Sequence, residues 1–261
     1  MQTIDAYTPQ QIAELVNSVG IKKAGLPLLQ LITLGVLAGA FIAFGGMFST
    51  LVITDSTLGF GPTRLLGGIA FSLGLILVII AGAELFTGNN LIVIAWAERK
   101  ITTTRLLNNW VIVFLANFIG ALASAWFVSM SGSLDIGGGA VAETAANIAR
   151  AKVNLDFSEA LIRGLLCNAL VCLAVWLSYA SHDASGKILA IIFPISAFVA
   201  LGFEHSIANM YLIGVVIFEG DAGITFNDLL FNLVPVTIGN IIGGSIFVAL
   251  VYWICYLRDS Q

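Results

Sequence analysis

Charged residues are scarce in this sequence of 261 residues, of which only 10% are Asp, Glu, Lys or Arg. Soluble domains carry about 25% of such residues, so too few are present here to cover a globule of this size with a charged surface. The net charge of −4 argues against a nucleic-acid partner. The hydrophobic content of 59% excludes a disordered chain, and the 27 glycines follow no period of three, which excludes collagen. The composition therefore predicts an all-α polytopic protein whose surroundings are a lipid bilayer.

Residues that bind metals or form covalent intermediates are also few, with two histidines and three cysteines. Cys167, Cys172 and Cys255 all fall inside apolar runs, where they are typical of packing residues rather than of disulfides or metal ligands. His182 lies in a short loop, so the membrane region has no second histidine to complete a metal site. Because the HExxH and GxSxG motifs are absent as well, we expect no enzyme activity, no metal and no cofactor.

Six uncharged runs are long enough to cross a bilayer, which takes about 20 apolar residues. They are Leu26 to Ile53, Leu65 to Trp96, Leu106 to Met130, Leu161 to Ala180, Ile188 to Phe218 and Leu229 to Leu257. The second and fifth runs are too long for one straight helix, and each contains a polar segment, ELFTGNN from Glu84 and EHSIAN from Glu204. Non-helical backbone at membrane depth is tolerated only inside the protein or along a wet cavity. The sequence therefore predicts that helices two and five are broken.

The distribution of Lys and Arg predicts the orientation of the spans, because cytoplasmic loops carry more of these residues. With six spans, both termini and the loops after spans two and four share one side. That side has seven basic residues against four, namely Lys22, Lys23, Arg99, Lys100, Arg105, Lys187 and Arg258 against Arg64, Arg150, Lys152 and Arg163. We therefore expect both termini in the cytoplasm.

The first 25 residues are predicted to form a cytoplasmic amphipathic helix. They do not resemble a cleavable signal, because acidic residues interrupt them and no basic start precedes an apolar core. Thr8 is placed as N-cap, Pro9 at the first helical position and Gln11 where it closes a capping box. We expect this helix to lie on the membrane or to pack on a neighbouring element, and a gating plug is the alternative.

The channel-like membrane domain, residues 26–257, is an internal repeat with copies at about 26–130 and 155–257, followed by a cytoplasmic C-terminus at 258–261. The shared motif GxExxxxN places three identical residues 120 positions apart, Gly82, Glu84 and Asn89 against Gly202, Glu204 and Asn209. Spans three and six share identical residues at an offset of 123, including both members of the pairs Asn117 and Asn240, and Gly120 and Gly243. Three spans per copy invert the second copy, and paired broken helices in such copies point to a translocation site at the bilayer midplane.

The segment around the second break predicts a narrow apolar passage with one protonatable group. Phe198 and His205 lie on one helical face that ends at the break. A similar apolar stripe runs through Phe71, Leu75 and Leu85 in span two. A histidine satisfied by structural hydrogen bonds, and stripes that only pack the core, are the plain alternatives.

The polar residues at the breaks suggest two different roles. Glu84 and Glu204 are costly in hydrocarbon and should face the interior, and we expect them to accept backbone N–H groups that the breaks set free. Asn89 and Asn209 are interpreted as hydrogen-bonding links between helices. Thr87 lies where the unwound segment crosses, and it can offer a hydroxyl to a ligand.

Lys152 lies about two turns before span four, and two readings of it stay open. As an exposed loop charge it would mean little, whereas folded inward it would raise the local concentration of anions. Asn168, in span four, shares a helical face with Val171 and has no charged neighbour. Arg163 is expected to pair with Glu159 at i, i+4 and to extend towards the membrane surface.

Five segments resemble the formate/nitrite transporter family, most of all its formate branch. They are GGIAFSLGLIL from Gly67, AGAELFTG from Ala81, LLCNALVCLAVW from Leu165, GFEHSIANM from Gly202 and VPVTIGNIIGG from Val234. The resemblance implies an aquaporin-like bundle of six helices with helices two and five interrupted, assembled as a homopentamer in the cell (inner) membrane. It also implies that His205 is the family's central histidine, with Thr87, Lys152 and Asn168 along the substrate pathway. The implied hydrophobic constrictions are Phe71, Leu75, Leu85, Phe86, Val171 and Phe198.

The resemblance further implies a small monovalent anion as substrate, together with a proton. Formate is our first expectation, with pH-dependent passage coupled to a proton through the central histidine. Nitrite is the alternative, because AGAELFTG resembles the nitrite branch, and hydrosulfide belongs to the same group of substrates. A channel for water or glycerol is a remote alternative, since such channels carry Asn-Pro-Ala and none of the five prolines here follows Asn.

Overall fold

The structure, a computed structural model, describes residues 7–220 and 222–258, so residues 1–6 and 259–261 of the predicted terminal segments lie outside it. The described part of the chain consists of helices and connecting turns, without a β-strand. Apart from one turn at Ser133–Asp135, its helices are α1 Pro9–Ala24, α2 Leu28–Ile53, α3 Phe60–Gly82, α4 Gly88–Ala97, α5 Thr103–Met130, α6 Ala140–Val153, α7 Phe157–Ser178, α8 Ala184–Leu201, α9 Ser206–Glu219 and α10 Phe226–Tyr256.

Six of these helices, α2, α3, α5, α7, α8 and α10, are long and apolar enough to cross a membrane, which confirms the predicted number of spans. The second and fifth spans each continue after a break, as α3 followed by α4 and as α8 followed by α9. Both helices begin earlier than the uncharged runs do, because the first turns of α3 and α8 contain Arg64 and Lys187. Charges at helix ends can reach the membrane surface, so they do not end a span.

Each break follows a glycine in the left-handed backbone region. Helix α3 ends at Gly82, where φ is 89°, and α8 is followed by Gly202, where φ is 73°. Glycine adopts this conformation without the steric cost that other residues incur. The two glycines of the GxExxxxN motif therefore stop the two helices at equivalent positions and bring the following glutamates to equivalent places.

Close helix crossings hold each repeat together at matching glycines. A Cβ added at Gly120 of α5 would lie 2.0 Å from the carbonyl oxygen of Val36 in α2, and one added at Gly243 of α10 would lie 2.0 Å from that of Leu165 in α7. Only glycine fits such a contact, and small residues let membrane helices approach closely. The same crossing is thus built once in each half of the chain.

Helix α1 packs on α4. The N–H of Gln11 donates to Thr8 Oγ1 and the N–H of Thr8 to Gln11 Oε1, which is the capping box that the sequence predicts. Ile12 and Val16 are buried on its inner face. Packing on a neighbouring element is therefore the arrangement found for this helix.

Candidate functional site

Each helix break is anchored by a buried glutamate bound to a lysine from a distant segment. In the first half, Glu84 Oε1 accepts from Lys23 Nζ at 2.8 Å, and Oε2 accepts from Asn89 Nδ2 at 2.8 Å. Asn89 Nδ2 also donates to Asn109 Oδ1 at 2.9 Å, and Asn109 Nδ2 donates to the backbone oxygen of Lys23 at 3.1 Å. These four residues close a ring of hydrogen bonds around the carboxylate.

The second half repeats this ring residue for residue. Glu204 accepts from Lys152 Nζ at 2.9 Å and from Asn209 Nδ2 at 2.6 Å. Asn209 donates to Asn232 at 2.8 Å, and Asn232 donates to the backbone oxygen of Lys152 at 2.9 Å. Lys152 lies in the last turn of α6, and its side chain points inward to Glu204 rather than outward as an exposed loop charge.

Glu84 and Glu204 do not accept the backbone N–H groups that the breaks set free, so that expectation is wrong. Their carboxylate oxygens are taken by lysine and asparagine side chains. A nearby opposite charge lowers the cost of burying a carboxylate, provided that its remaining lone pairs are also hydrogen-bonded. Each glutamate is instead the acidic member of a buried ion pair, Glu84 with Lys23 and Glu204 with Lys152.

Asparagine amides bind the freed backbone groups instead. Asn117 Oδ1 accepts the N–H of Phe86 at 2.9 Å, while Asn117 Nδ2 donates to the carbonyl oxygens of Gly35 at 2.7 Å and Glu84 at 2.9 Å. The second half repeats all three bonds. Asn240 Oδ1 accepts the N–H of Ser206 at 2.9 Å, and Asn240 Nδ2 donates to the carbonyl oxygens of Gly164 at 2.8 Å and Glu204 at 2.9 Å. An amide can satisfy a donor and an acceptor of the broken backbone at once.

The two breaks meet at a contact between Thr87 and His205. Thr87 Oγ1 lies 2.9 Å from His205 Nε2, and both residues are buried. The inverted halves of the chain each contribute one of these two side chains. The contact therefore lies where a midplane site is predicted.

The second ring nitrogen of His205 fixes which nitrogen carries the proton. Nδ1 lies 3.1 Å from the backbone nitrogen of Ala208 and accepts its N–H as the N-cap of α9. Because a backbone N–H can only donate, Nδ1 holds a lone pair, and the neutral ring carries its proton on Nε2. The Nε2–H group then donates to Thr87 Oγ1, so the hydroxyl proton of Thr87 is left to donate to a ligand.

Asn168 holds the segment that carries Thr87. Its Nδ2 lies 3.2 Å from the carbonyl oxygen of Thr87, 2.8 Å from Asn90 Oδ1 and 2.7 Å from the backbone oxygen of Asn240. Asn168 is fully buried and lines neither of the cavities described below. In this conformation it positions Thr87 from behind.

Apolar side chains surround the contact between Thr87 and His205. The rings of Phe71 and Phe198 meet edge to face with centroids 5.6 Å apart, and Phe198 lies parallel to His205 at 6.0 Å. Leu75 and Leu85 are buried on the other side of the contact. An unpaired charge is costly among such groups, so this region separates two more polar spaces.

Phe86 and Val171, which the resemblance implies as constriction residues, line neither cavity. The ring of Phe86 packs against Trp110 at 6.3 Å and Phe114 at 5.0 Å, both in α5. Val171 is buried in α7. In this structure Phe86 packs against α5, and a constriction at Val171 stays a prediction.

Two cavities approach the contact. The Lys152 vestibule, of about 890 Å³, is lined by Arg64, Phe71, Lys152, Arg163, Phe198 and His205 among others. The Lys23 vestibule, of about 470 Å³, is lined by Lys23, Leu75, Leu85, Asn89 and Tyr179 among others. Burial raises the pKa of Tyr179 to about 12, with the charge of Glu84 adding to the effect, so its phenol stays neutral. Together the vestibules and the contact form a candidate route through the bundle.

The bond from Lys23 to Glu84 in the first ring was not predicted from the sequence, where Lys23 entered only the count of basic residues. Lys23 and Lys152 lie 129 positions apart, which is also the distance between Gly35 and Gly164. Extending the repeat to the segments before spans one and four would have paired the two lysines. Asn109 and Asn232 also lie 123 positions apart, like Asn117 and Asn240, but no pattern indicates which residues they bind.

Comparison with known proteins gives a consistent result along nearly the whole chain. A family model described as "Formate/nitrite transporter" matches residues 10–254. The "Uncharacterized transporter YrhG" of Bacillus subtilis (strain 168) is 46% identical, covering 97% of this chain and 95% of that protein. The "Formate channel BtFdhC" of Bacillus thuringiensis is 43% identical, covering 98% of each chain. A solved structure described as "Pentameric formate channel with formate bound" has a TM-score of 0.82 and 36% identity, covering 88% of this chain and 98% of its own.

Proposed function

Because the chain belongs to the formate/nitrite transporter family, we propose that it carries formate across the membrane along the route between the two vestibules. As a member of this family it is a multi-pass membrane protein that passes small anions, and it is not an enzyme. Formate is favoured over nitrite and hydrosulfide because BtFdhC and the similar solved structure are both described as formate channels.

The observation that carries the proposal is the buried contact of 2.9 Å between Thr87 and His205. It is the polar centre of an otherwise apolar region and lies between two vestibules that each contain a lysine. A formate ion drawn in by Lys152 would lose most of its hydration at Phe71 and Phe198, and one drawn in by Lys23 would lose it at Leu75 and Leu85. A hydroxyl donor at the centre compensates part of that loss.

The proposed central step uses Thr87 as the group that touches the anion. His205 donates Nε2–H to the Thr87 oxygen, and hydrogen bonds in such a chain strengthen one another. The Thr87 hydroxyl then donates to a formate oxygen. His205 therefore has two tasks in this scheme, to cap α9 through Nδ1 and to orient Thr87 through Nε2.

Proton coupling through His205 has a definite structural requirement in this proposal. If Thr87 passes its hydroxyl proton to formate and takes the proton from Nε2, the imidazole stays neutral only when another proton binds Nδ1. That proton must replace the hydrogen bond from the Ala208 N–H group. Formic acid, being neutral, then crosses the apolar side chains on the far side of the contact without the cost of a bare charge. Passage coupled in this way is faster at acid pH.

The assembly and orientation belong to the same proposal. The similar solved structure is described as pentameric, and we propose a homopentamer with one route in each protomer. The excess of Lys and Arg on the side of both termini supports a cytoplasmic location for the Lys23 vestibule and an external one for the Lys152 vestibule. The membrane is then the inner or plasma membrane of the cell.

The test is uptake of labelled formate into proteoliposomes that contain the purified protein, with unlabelled formate, nitrite, hydrosulfide and lactate as competitors. We expect formate uptake that rises as the pH falls, with formate as the strongest competitor. Stronger competition by nitrite would move the assignment to the nitrite branch. Absence of selective uptake of any of these anions would refute the transport function.

The variant His205→Phe tests the role of the central histidine, and His182→Phe serves as its matched control. His182 lies in the loop before α8 and contacts the ring of Tyr7, away from the route. We expect His205→Phe to abolish or strongly flatten the dependence of uptake on pH, while His182→Phe keeps it. An unchanged pH profile in a folded His205→Phe protein would contradict the proposed histidine role.

A further inference from the structure

The Lys152 vestibule contains the C-terminal end of α8, which exposes backbone carbonyl groups. The C-terminus of a helix carries a partial negative charge, and its last carbonyls lack partners within the helix. An anion that enters this vestibule would be repelled by these groups if they were left bare. In the structure two arginines cover them.

Arg64 and Arg163 reach this helix end from two different helices. Arg64 of α3 donates from Nε to the oxygen of Ala200 at 2.8 Å and from Nη2 to that of Val199 at 3.0 Å. Arg163 of α7 donates from Nη1 to the oxygen of Gly202 at 3.2 Å, and its Nη2 contacts Glu159 as the sequence predicts. Both guanidinium groups therefore face the same short segment.

The two guanidinium groups lie close together at the vestibule wall. A Cβ added at Gly202 would lie 3.0 Å from Arg64 Nη2 and 3.7 Å from Arg163 Nη1. Both arginines line the vestibule together with Lys152. Within the described part of the chain, Arg64 Nη1 donates to no protein group, so this cation keeps donor capacity for a ligand.

The two vestibules differ in their charge although their glutamate rings are copies. Lys152 is paired with Glu204 and Arg163 with Glu159, so Arg64 is the cation of the Lys152 vestibule that has no carboxylate partner among the described residues. The described cation that lines the other vestibule, Lys23, is paired with Glu84. The end of α3, the counterpart of the α8 end, receives no hydrogen bond from an arginine among the described residues. The excess of positive charge is thus specific to one mouth of the route.

A second difference concerns the asparagines of the two rings. Lys23 Nζ donates to Asn89 Oδ1 at 3.0 Å as well as to Glu84. In the other ring, among the described residues, Asn209 Oδ1 is buried without a partner, and Lys152 Nζ donates only to Glu204. An unpaired buried acceptor that lines the vestibule, beside an ammonium with unused N–H groups, is suited to a water molecule or a protonated acid.

We propose that Arg64 and Arg163, beside Lys152, form an anion-loading site that holds a small monovalent carboxylate before it reaches Phe71 and Phe198. The site deepens the proposed function and rests on it. Arginine supplies planar paired donors that suit a carboxylate, and a concentration of positive charge at one mouth raises the rate of anion capture. The site therefore controls the concentration of formate at which uptake from this side is half-maximal.

The test changes the charge at Arg163 after the protein has folded. The variant Arg163→Cys is prepared in a Cys255→Ala background, since Cys167 and Cys172 are buried and Cys255 is exposed. Methanethiosulfonate reagents then attach a positive aminoethyl, a negative sulfonatoethyl or a neutral methyl group to the thiol. The formate concentration for half-maximal uptake is measured in proteoliposomes before and after each treatment.

We expect Arg163→Cys to raise the half-saturating formate concentration about threefold, the size that a partly exposed charge interaction allows. The positive group should restore the original value, the negative group should raise it further, and the neutral group should leave it unchanged. Arg150→Cys is the matched control, because the Arg150 side chain is exposed on α6, bonds only Asn147 among the described residues, and should give no charge dependence.

Equal effects of the positive and negative groups at position 163, in protein that takes up formate, would overturn the loading site and leave the transport function intact. Failure of the unaltered protein to take up formate would overturn both proposals. The comparison uses one folded preparation throughout, so a folding defect cannot imitate the expected result.

Discussion

Replacing Asn117 or Asn240 by alanine should destabilise the protein by a similar and large amount. Each asparagine is fully buried and makes three hydrogen bonds to the backbone, two at a helix break and one inside the neighbouring helix α2 or α7. Alanine leaves one N–H and one carbonyl group of the break without this partner, and it removes a second bond to a carbonyl inside α2 or α7. At roughly 1–2 kcal/mol for each bond, the expected loss is about 3–6 kcal/mol in either variant.

The loss is measured as the change in free energy of unfolding when the protein in mixed micelles is titrated with sodium dodecyl sulfate and its helix content is followed by circular dichroism. Asn147→Ala is the matched control, because Asn147 is exposed and bonds only the side chain of Arg150. A surface change of this kind should cost less than about 0.5 kcal/mol.

The duplicated geometry makes this prediction strict. Because Asn117 and Asn240 have matching partners at nearly matching distances, their losses should agree to within about 1 kcal/mol. A loss below about 1 kcal/mol in either variant would show that the bonds do not carry the breaks. A full loss in one variant and none in the other would refute the equivalence of the two halves.

Three further predictions concern stability and use the same unfolding measurement. Lys152→Met should cost about 3–5 kcal/mol because it leaves Glu204 buried without its counter-charge, and adding Glu204→Gln should recover most of that loss; no recovery would contradict the ion-pair role. Gly243→Ala should cost about 1–3 kcal/mol, because the new Cβ would lie 2.0 Å from a carbonyl oxygen. Gly61→Ala is the control and should be neutral, because the space around Gly61 is open. Equal effects of the two changes would refute the close helix crossing. The pKa of Asp183 is lowered, chiefly because its carboxylate accepts the backbone N–H of Gly186. The stability that this carboxylate contributes is therefore present above the ordinary carboxyl pKa and is lost as the pH falls through the lowered pKa. Asp183→Asn should remove this pH dependence of stability, and an unchanged pH profile would contradict the prediction.

The spans, the breaks and the repeat were predictable from sequence because each leaves a linear signal. Hydropathy marks the six long helices, and the identical residues of the GxExxxxN motif mark the two breaks. The ion pair between Arg163 and Glu159 was predictable for the same reason, since its partners lie one helical turn apart.

Contacts between distant segments were not predictable in the same way. Nothing near Glu84 in the sequence indicates Lys23, which lies on the other side of a whole span, and the expected backbone partners were wrong. Helix α6 was missed because it has no long apolar run, and its position is what turns Lys152 inward. The direction of a side chain such as Phe86 depends on the path of the unwound segment, which periodicity does not describe.

We propose that the hydroxyl of Thr87 contacts the anion. The most direct test is therefore formate uptake by Thr87→Val and Thr87→Ser in proteoliposomes. Valine keeps the shape of threonine and removes the hydroxyl, whereas serine keeps it. We expect Thr87→Ser to retain formate uptake within about threefold of the unaltered protein. Thr87→Val should lower the uptake about tenfold or more, which is the effect of one missing buried hydrogen bond. Uptake by folded Thr87→Val equal to that of the unaltered protein would contradict the central claim.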